Sequence, residues 1–130
     1  MSNQFKLPMA AEALIPHRLP MRQVDRLLEY REGEEATVEA LIDAANPLLD
    51  GDGELGEVAL VEMLAQSFAA VQGYADSLAG KPVGQGFLVG ISKMTIEGPA
   101  RLGDRLLIRI RPIAALEAFV VVEGEVSRGQ

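Results

Sequence analysis

The longest hydrophobic segment of the chain runs from Val58 to Ala79 and predicts one long helix. Single polar residues at positions 62, 66, 72 and 76 interrupt it, so it falls short of the roughly 20 consecutive apolar residues of a membrane span. Gly80, followed by Lys81 and Pro82, provides the usual signals that end a helix. The segment therefore predicts a core helix and no membrane span.

Extended and alternating patterns predict strands on both sides of this helix. Before it, an extended run over Val24–Tyr30 and an alternating run over Ala36–Asp43 flank a turn at Arg31–Glu34, which predicts an antiparallel pair. After it, the predicted strands are Phe87–Ile96, Arg105–Ile113 and Phe119–Val126. One helix between a hairpin and a later antiparallel meander predicts an α+β fold, in which one sheet wraps the helix.

The connecting segments complete a single domain over residues 1–130. Pro8 and Pro16 bracket a short helical turn at Met9–Ile15, and residues 44–57, rich in glycine and aspartate, predict a loop. The last strand is followed only by Ser127–Gln130. We therefore expect either that this strand is an exposed edge or that a final strand lies outside these residues.

Glu62 is the candidate for chemistry, because it lies within the apolar helix. Gln66 follows four residues later, so both side chains share one face and the amide can hydrogen-bond the carboxyl group. An unpartnered carboxylate among apolar neighbours would cost several kcal/mol or take up a proton. Glu62 is thus a candidate proton donor; the alternative is an ordinary glutamate on the exposed rim of an amphipathic helix.

Composition narrows the function classes. The chain has a net charge of −7 and a pI near 4.7, which argues against nucleic-acid binding. It carries no glycine-rich phosphate loop and no cluster of metal ligands, so we expect no cofactor and no metal. It has no cysteine, which fits a reducing compartment, and its first residues do not resemble a signal peptide, so we expect a cytoplasmic protein.

Five short segments follow one another along the chain in a distinctive order and spacing: Pro16-His17-Arg18, Val24-Asp25-Arg26, Glu62 to Gln66, Phe87 to Ile91 and Pro99 to Asp104. Together they resemble the 3-hydroxyacyl-acyl carrier protein dehydratases of the hot-dog fold. Within that family, the chain resembles a divergent branch of predicted dehydratases of aryl polyene lipid synthesis.

The resemblance implies roles for particular residues. The family's loop histidine base is replaced by Asp52, so His17, the only histidine, or Asp52 is the candidate base beside Glu62. At the position of the glycine that opens the catalytic helix in the family, this chain has Glu57, directly after Gly56. The candidate substrate-binding residues are Gln66, Gly56, Glu57, Phe87 and Gly90. A structural histidine bonded to backbone, and a turn aspartate, are the respective alternatives for His17 and Asp52.

The resemblance also implies a substrate and partners. We expect a dehydratase, or a dehydratase-like protein, acting on acyl thioesters carried by acyl carrier protein in fatty acid or polyene lipid synthesis. The alternatives are a hot-dog thioesterase and a non-catalytic acyl-carrier-binding partner of a synthase complex. We expect a homodimer paired through Phe87–Ile96, since an unpaired apolar edge would invite aggregation. The arginines at 101, 105, 109 and 111 could contact the carrier protein, or could simply lie on a solvated face of the sheet. An acyl tunnel could be lined by Met63, Leu64, Phe68, Phe87 and Met94, which are otherwise ordinary core residues.

Overall fold

The computed structural model describes residues 6–81, 88–117 and 119–129, with the side chain of residue 88 excluded. Its elements are β1 (Met9–Ala10), a 3-10 helix (Ala11–Ala13), β2 (Arg26–Tyr30), β3 (Ala36–Leu41), β4 (Glu54–Leu55), α1 (Glu57–Leu78), β5 (Leu88–Ile96), β6 (Ala100–Arg101), β7 (Arg105–Leu116) and β8 (Phe119–Arg128). The predicted helix and the five predicted long strands are therefore present, with ends displaced by up to three residues. The predicted turn at Met9–Ile15 is shorter than expected, because Met9 and Ala10 pair with β2 as a strand.

Within the described residues, six strands form one sheet in the order β1-β2-β3-β7-β8-β5. Every neighbouring pair is antiparallel except β5 and β8, which run parallel. The predicted antiparallel meander of the last three strands is wrong at this point, because β5 joins the far side of β8 instead of pairing with β7. The chain has the α+β hot-dog fold, with a mostly antiparallel sheet wrapped around one long helix.

The last strand has neighbours on both sides, β7 and β5. The expectation that it is an exposed edge is wrong, since the place expected for a further strand beside β8 is taken by β5. β5 forms the edge of the sheet on this side, and β1 forms the other edge. Periodicity along β8 could not reveal this arrangement, because it depends on β5, which precedes β7 in the chain, pairing with the side of β8 that faces away from β7.

The helix buries one side against the concave face of the sheet. Met63 and Leu64 have no exposed surface, and they belong to one core cluster with buried residues of β3, β7 and β8, such as Val38, Ile108 and Val122. Burying each large aliphatic side chain contributes about 1.5–3 kcal/mol, which explains why the apolar stripe of α1 fixes its place on the sheet. None of the helices described here is long and apolar enough to cross a membrane.

The N-terminal segment crosses the other side of α1. Gly73 allows this close approach, because an added Cβ atom there would lie 2.2 Å from the carbonyl oxygen of Leu14. Further along, the carbonyl of Met21 and the backbone amide of Gln23 both bond the side chain of Gln66. Positions 62, 66, 69 and 73 lie within about 60° of one another around the helix axis. The N-terminal segment therefore runs along the helix face that carries Glu62.

The loop before α1 contains one element that the sequence pattern did not predict. Glu54 and Leu55 form β4, which pairs with β6 through Arg101 and Ala100. A two-residue strand has no detectable periodicity, so residues 44–57 were predicted as irregular throughout. This short pairing attaches the loop to the β6–β7 turn, and it fixes where the helix begins.

Candidate active site

Glu62 and Gln66 form the predicted side-chain pair. The Nε2 atom of Gln66 donates a hydrogen bond of 2.6 Å to Oε2 of Glu62. Gln66 is 1% exposed, whereas Glu62 is half-buried, so one carboxyl oxygen is held inside the protein while the group as a whole still reaches solvent. Glu62 is therefore more enclosed than the exposed rim glutamate of the alternative interpretation, and its role as the proton donor stays a prediction.

The Gln66 amide has two further partners on the N-terminal segment. Its Oε1 accepts a hydrogen bond of 2.7 Å from the backbone N–H of Gln23, and its Nε2 donates one of 3.0 Å to the carbonyl of Met21. These contacts join residues 43 and 45 positions apart in sequence. Met21 and Gln23 were not predicted as site residues, because the four-residue spacing on the helix reveals only that Glu62 is a partner of Gln66.

Gln23 is itself held in place by the loop that precedes β4. Its side chain is 3% exposed, and its Oε1 accepts a hydrogen bond of 2.9 Å from Nδ2 of Asn46. Asn46 also accepts a bond from the backbone N–H of Leu48 through Oδ1, at 2.8 Å. The only sequence signal for this pair is a glutamine placed directly before the buried Val24, where a polar side chain needs a partner.

The N-terminus of α1 is open to solvent-side ligands. Gly56 occupies the N-cap position with extended backbone, and no side chain caps the helix there. The space where a Cβ atom of Gly56 would lie is open, with no described atom within 4 Å. Glu57 is exposed in the first turn. Free N–H groups at a helix N-terminus favour a negatively charged oxygen, so this end can receive a polarised carbonyl about 9 Å along the axis from Glu62.

Asp52 lies at the exposed tip of the loop. The Oδ1 atom of Asp50 accepts hydrogen bonds from the backbone N–H groups of Asp52 and Glu54, at 2.8 and 2.9 Å. This is the geometry of an aspartate-stabilised turn. Among the described residues, no hydrogen bond joins Asp52 to Glu62, and its role as the base stays a prediction.

His17 lies on the N-terminal segment between the contacts at Leu14 and Met21. Its imidazole is half-buried, and its Nδ1 atom is buried without a hydrogen-bond partner among the described residues. This nitrogen therefore does not make the backbone contact expected of a purely structural histidine. The side chain of Arg18 fixes the local backbone instead, through bonds of 2.8 and 2.9 Å to the carbonyls of Ile15 and His17. The role of His17 as the base stays a prediction.

The two predicted substrate contacts near β5 have different outcomes. Phe87 lies outside the described residues. Gly90 lies on β5 directly against Phe119, because a Cβ atom added at Gly90 would be 3.0 Å from the Phe119 ring. Gly90 therefore makes room for a ring of the neighbouring strand, and its contact with substrate stays a prediction.

A cavity of about 230 Å³ lies beneath the C-terminal half of α1. Phe68, Val71 and Ala75 face it from the helix, and Ile110 and Val120 face it from the sheet. Val71 follows Glu62 by nine residues, which places it about 180° around the helix. Of the residues predicted to line an acyl tunnel, Phe68 borders this cavity, whereas Met63 and Leu64 are fully buried in the core.

The arginines suggested as carrier-protein contacts have carboxylate partners within the chain. Arg105 and Arg26 both bond the carboxylate of Glu39, which is 2% exposed, and each Nε–oxygen distance is 2.7 Å. These bonds, chiefly the one from Arg26, lower the pKa of Glu39 below its usual value despite its burial. Arg101, Arg109 and Arg111 pair with Glu54, Glu125 and Glu123. These arginines are thus matched with carboxylates of their own chain, and a contact with carrier protein stays a prediction.

Comparisons with known proteins agree with this architecture. The family described as ApeP-like, ApeP dehydratase, matches residues 9–130. The 3-hydroxyacyl-acyl-carrier-protein dehydratase FabZ of Oceanobacillus iheyensis is 31% identical over 124 residues, covering 88% of this chain and 86% of that protein. FabZ of Roseiflexus castenholzii is 30% identical over 129 residues, covering 87% and 88%.

A solved structure has the same fold. It is described as the dehydratase heterocomplex ApeI:P from Xenorhabdus doucetiae, and it matches with a TM-score of 0.77 and 20% sequence identity, covering 92% of this chain and 82% of that one. With the helix-borne pair of Glu62 and Gln66 in place, and with a family match over residues 9–130, this chain belongs to the ApeP-like dehydratase family.

Proposed function

We propose that this protein is a 3-hydroxyacyl-acyl carrier protein dehydratase of fatty acid or polyene lipid synthesis. The observation that carries the proposal is the bond between Glu62 and Gln66, which holds a half-buried carboxyl group in one orientation on the helix. Dehydration of a 3-hydroxyacyl thioester removes a proton from the carbon next to the carbonyl and protonates the departing hydroxyl group. Glu62 supplies that second proton as the general acid.

The start of α1 supports the other half of the reaction. Removing the proton places negative charge on the thioester oxygen, and the uncapped amides that follow Gly56 are suited to stabilise it. Gly56 and Glu57 would border that oxygen, while Gln66 fixes the acid. The open space at Gly56 leaves room for the thioester to approach the backbone.

Two residues, His17 and Asp52, compete for the role of the base. His17 has a buried ring nitrogen without a partner among the described residues, which favours it over Asp52, whose loop position is explained by the turn. An imidazole is also the side chain whose ordinary pKa best suits proton abstraction near neutral pH. We assign His17 as the base and keep Asp52 as its competitor.

The edge position of β5 supports a homodimer. β5 is an outer edge of the sheet, and its partly buried Val89, Ile91 and Met94 join the core. An edge of nine residues that leaves backbone groups unpaired is a natural place for a second copy of the chain. We propose a homodimer paired there, in the cytoplasm, as the absence of cysteine suggests.

A second candidate function is a subunit that binds acyl carrier protein without catalysing the reaction by itself. The observation that favours it is that, within the described part of the chain, no candidate base is hydrogen-bonded to Glu62. The Xenorhabdus doucetiae structure is a heterocomplex, and an analogous unlike partner could provide the base here. In that case the chain alone would bind the carrier and would not turn it over.

Product analysis separates these functions. The purified chain is incubated with a 3-hydroxyacyl thioester on acyl carrier protein, and the products are resolved by mass spectrometry. The proposal predicts loss of one water to give an enoyl thioester that remains on the carrier. A free carrier thiol would show a thioesterase instead, and carrier binding without any product would support the second candidate.

A further inference from the structure

We propose that Gln23 and Asn46 are positioning residues that determine which oxygen of Glu62 transfers the proton. They act through Gln66, and the inference rests on the proposed role of Glu62 as the acid. Neither residue touches the reacting atoms. Their side-chain bond holds in place the backbone of Met21 and Gln23, which together with Glu62 leaves the Gln66 amide a single orientation.

The first step is the orientation of the Gln66 side chain. Its Oε1 faces a backbone N–H, that of Gln23, and its Nε2 faces two oxygens, the Met21 carbonyl and Oε2 of Glu62. Rotating the amide by 180° would place a donor against the N–H group and an acceptor against both oxygens. All three bonds would be lost in a buried site, where each unsatisfied polar group is costly. Gln66 therefore donates to Glu62 and never accepts from it.

The bond from Gln66 also distinguishes the two carboxyl oxygens of Glu62. Oε2 of Glu62 receives an N–H from Gln66, and in the acid form the carbonyl oxygen of a carboxyl group is a stronger acceptor than its hydroxyl oxygen, so this bond favours Oε2 as the carbonyl oxygen. The proton of the acid form is accordingly carried by Oε1, which has no hydrogen-bond partner among the described residues. The geometry thus assigns Oε1 as the oxygen that faces the leaving hydroxyl group and Oε2 as the anchored oxygen.

The third step is what keeps the N-terminal segment in register with Gln66. The two backbone groups that bond Gln66 belong to Met21 and Gln23, on a segment outside any strand or helix. The side chain of Gln23 ties this segment to the loop at Asn46 through a 2.9 Å bond. The N–H groups of Met21 and Arg22 keep their bonds to the Arg18 carbonyl, so we expect loss of that tie to displace Gln23 in particular, although its own backbone N–H is still present.

A double-mutant cycle tests the proposal in the full-length protein. Gln23→Leu and Asn46→Ala are each made alone and in the Glu62→Gln background, and dehydration of a carrier-bound 3-hydroxyacyl thioester is followed. We expect kcat to fall about tenfold for each single variant with KM changed by less than about twofold, and no further loss in the Glu62→Gln background. An equal additional loss in that background would overturn the proposal, since it would show a general structural effect.

Asp43→Ala is the matched control. Its Oδ1 accepts a hydrogen bond of 2.9 Å from the backbone N–H of Ala45 in the same loop, and within the described part of the chain its side chain has no hydrogen bond to Gln23. It should reduce loop stability without changing kcat. A tenfold loss of kcat in this variant would also overturn the proposal, because any disturbance of the loop would then suffice.

A measurement that does not depend on activity separates this inference from the proposed function. In ¹⁵N NMR spectra, the Nε2 protons of Gln66 should be strongly inequivalent and slow to exchange. They should exchange faster in Asn46→Ala and stay unchanged in Asp43→Ala. Unaltered Gln66 signals in Asn46→Ala would refute the positioning role. If these signals change as expected while the enzyme makes no enoyl thioester, the proposed function fails and the hydrogen-bond network stands.

Discussion

Replacing Gly73 with alanine tests how the N-terminal segment is attached to the helix. In a helix interior this change ordinarily stabilises a protein by about 1 kcal/mol, because glycine has the greater conformational entropy to lose. Here the added Cβ atom would lie 2.2 Å from the carbonyl oxygen of Leu14 and 3.1 Å from its carbonyl carbon. Both atoms belong to the backbone, so no rotation of a side chain can relieve the contact.

The magnitude follows from these distances. An ordinary contact begins at about 3.4 Å, so the Leu14 backbone must move by roughly 1 Å or more away from α1. Overpacking of this kind typically costs 1–3 kcal/mol, occasionally more. A clash with backbone atoms belongs in the upper part of this range, about 2–3 kcal/mol, so subtracting the gain of about 1 kcal/mol in helix propensity leaves a net loss of about 1–2 kcal/mol in the free energy of unfolding. For a domain of this size, that loss lowers Tm by about 3–8 °C.

Urea unfolding followed by circular dichroism measures the change. The midpoint should fall with an unchanged slope, since the same surface is exposed on unfolding. Gly51→Ala is the control, because Gly51 has open space around its Cβ position and should change stability by less than about 0.5 kcal/mol. A Gly73→Ala protein as stable as wild type, or more stable, would refute the close approach of the N-terminal segment.

Three further outcomes are expected. Gly124→Ala should cost less than Gly73→Ala in the same unfolding series, because the atom it meets, 2.4 Å away, is the flexible end of Leu64. Glu39→Gln should lower the free energy of unfolding by about 1–2 kcal/mol at pH 7, because its two arginine partners lose a charged acceptor. The loss stays this small because both arginines are partly exposed and can bond water instead, and it should shrink as the pH falls below about 4. The sign follows from the lowered pKa of Glu39, whose stabilisation is present above its unfolded value and is lost in acid; a deficit that grew in acid would contradict it. His17→Ala should reduce kcat more than about 100-fold without loss of fold if imidazole is the base, and equal turnover in both proteins would transfer that role to Asp52 or to a partner.

The sequence predicted the parts of the fold that depend on local periodicity. The apolar stripe from Val58 to Ala79 predicted α1 within one residue at each end, and alternating residues predicted β3 and β7. The order of strands was not predictable in the same way. The parallel pairing of β5 with β8 depends on tertiary contacts between segments separated by β7, and the two-residue β4 depends on its partner β6.

The candidate site likewise has one part that local sequence spacing predicted and one part that it did not. The pair of Glu62 and Gln66 was predictable, because a spacing of four residues on a helix implies contact. Gln23 and Asn46 were not, since each forms its bonds across loops whose paths no periodicity encodes. Asp52 was singled out by its place relative to the family's loop, and the structure accounts for the shape of that loop through the Asp50 turn and the β4–β6 pairing.

The central claim is that Glu62 donates a proton during dehydration, and the turnover of Glu62→Gln tests it most directly. The amide keeps the size of the side chain but cannot deliver a proton in the same way, whereas Glu97→Gln, an exposed change in the β5–β6 turn, serves as the control. With carrier-bound 3-hydroxyacyl substrate and an unchanged thermal unfolding profile, Glu62→Gln should lower kcat by about 10²–10⁴-fold, and Glu97→Gln should leave it unchanged. Wild-type turnover in Glu62→Gln would contradict the account.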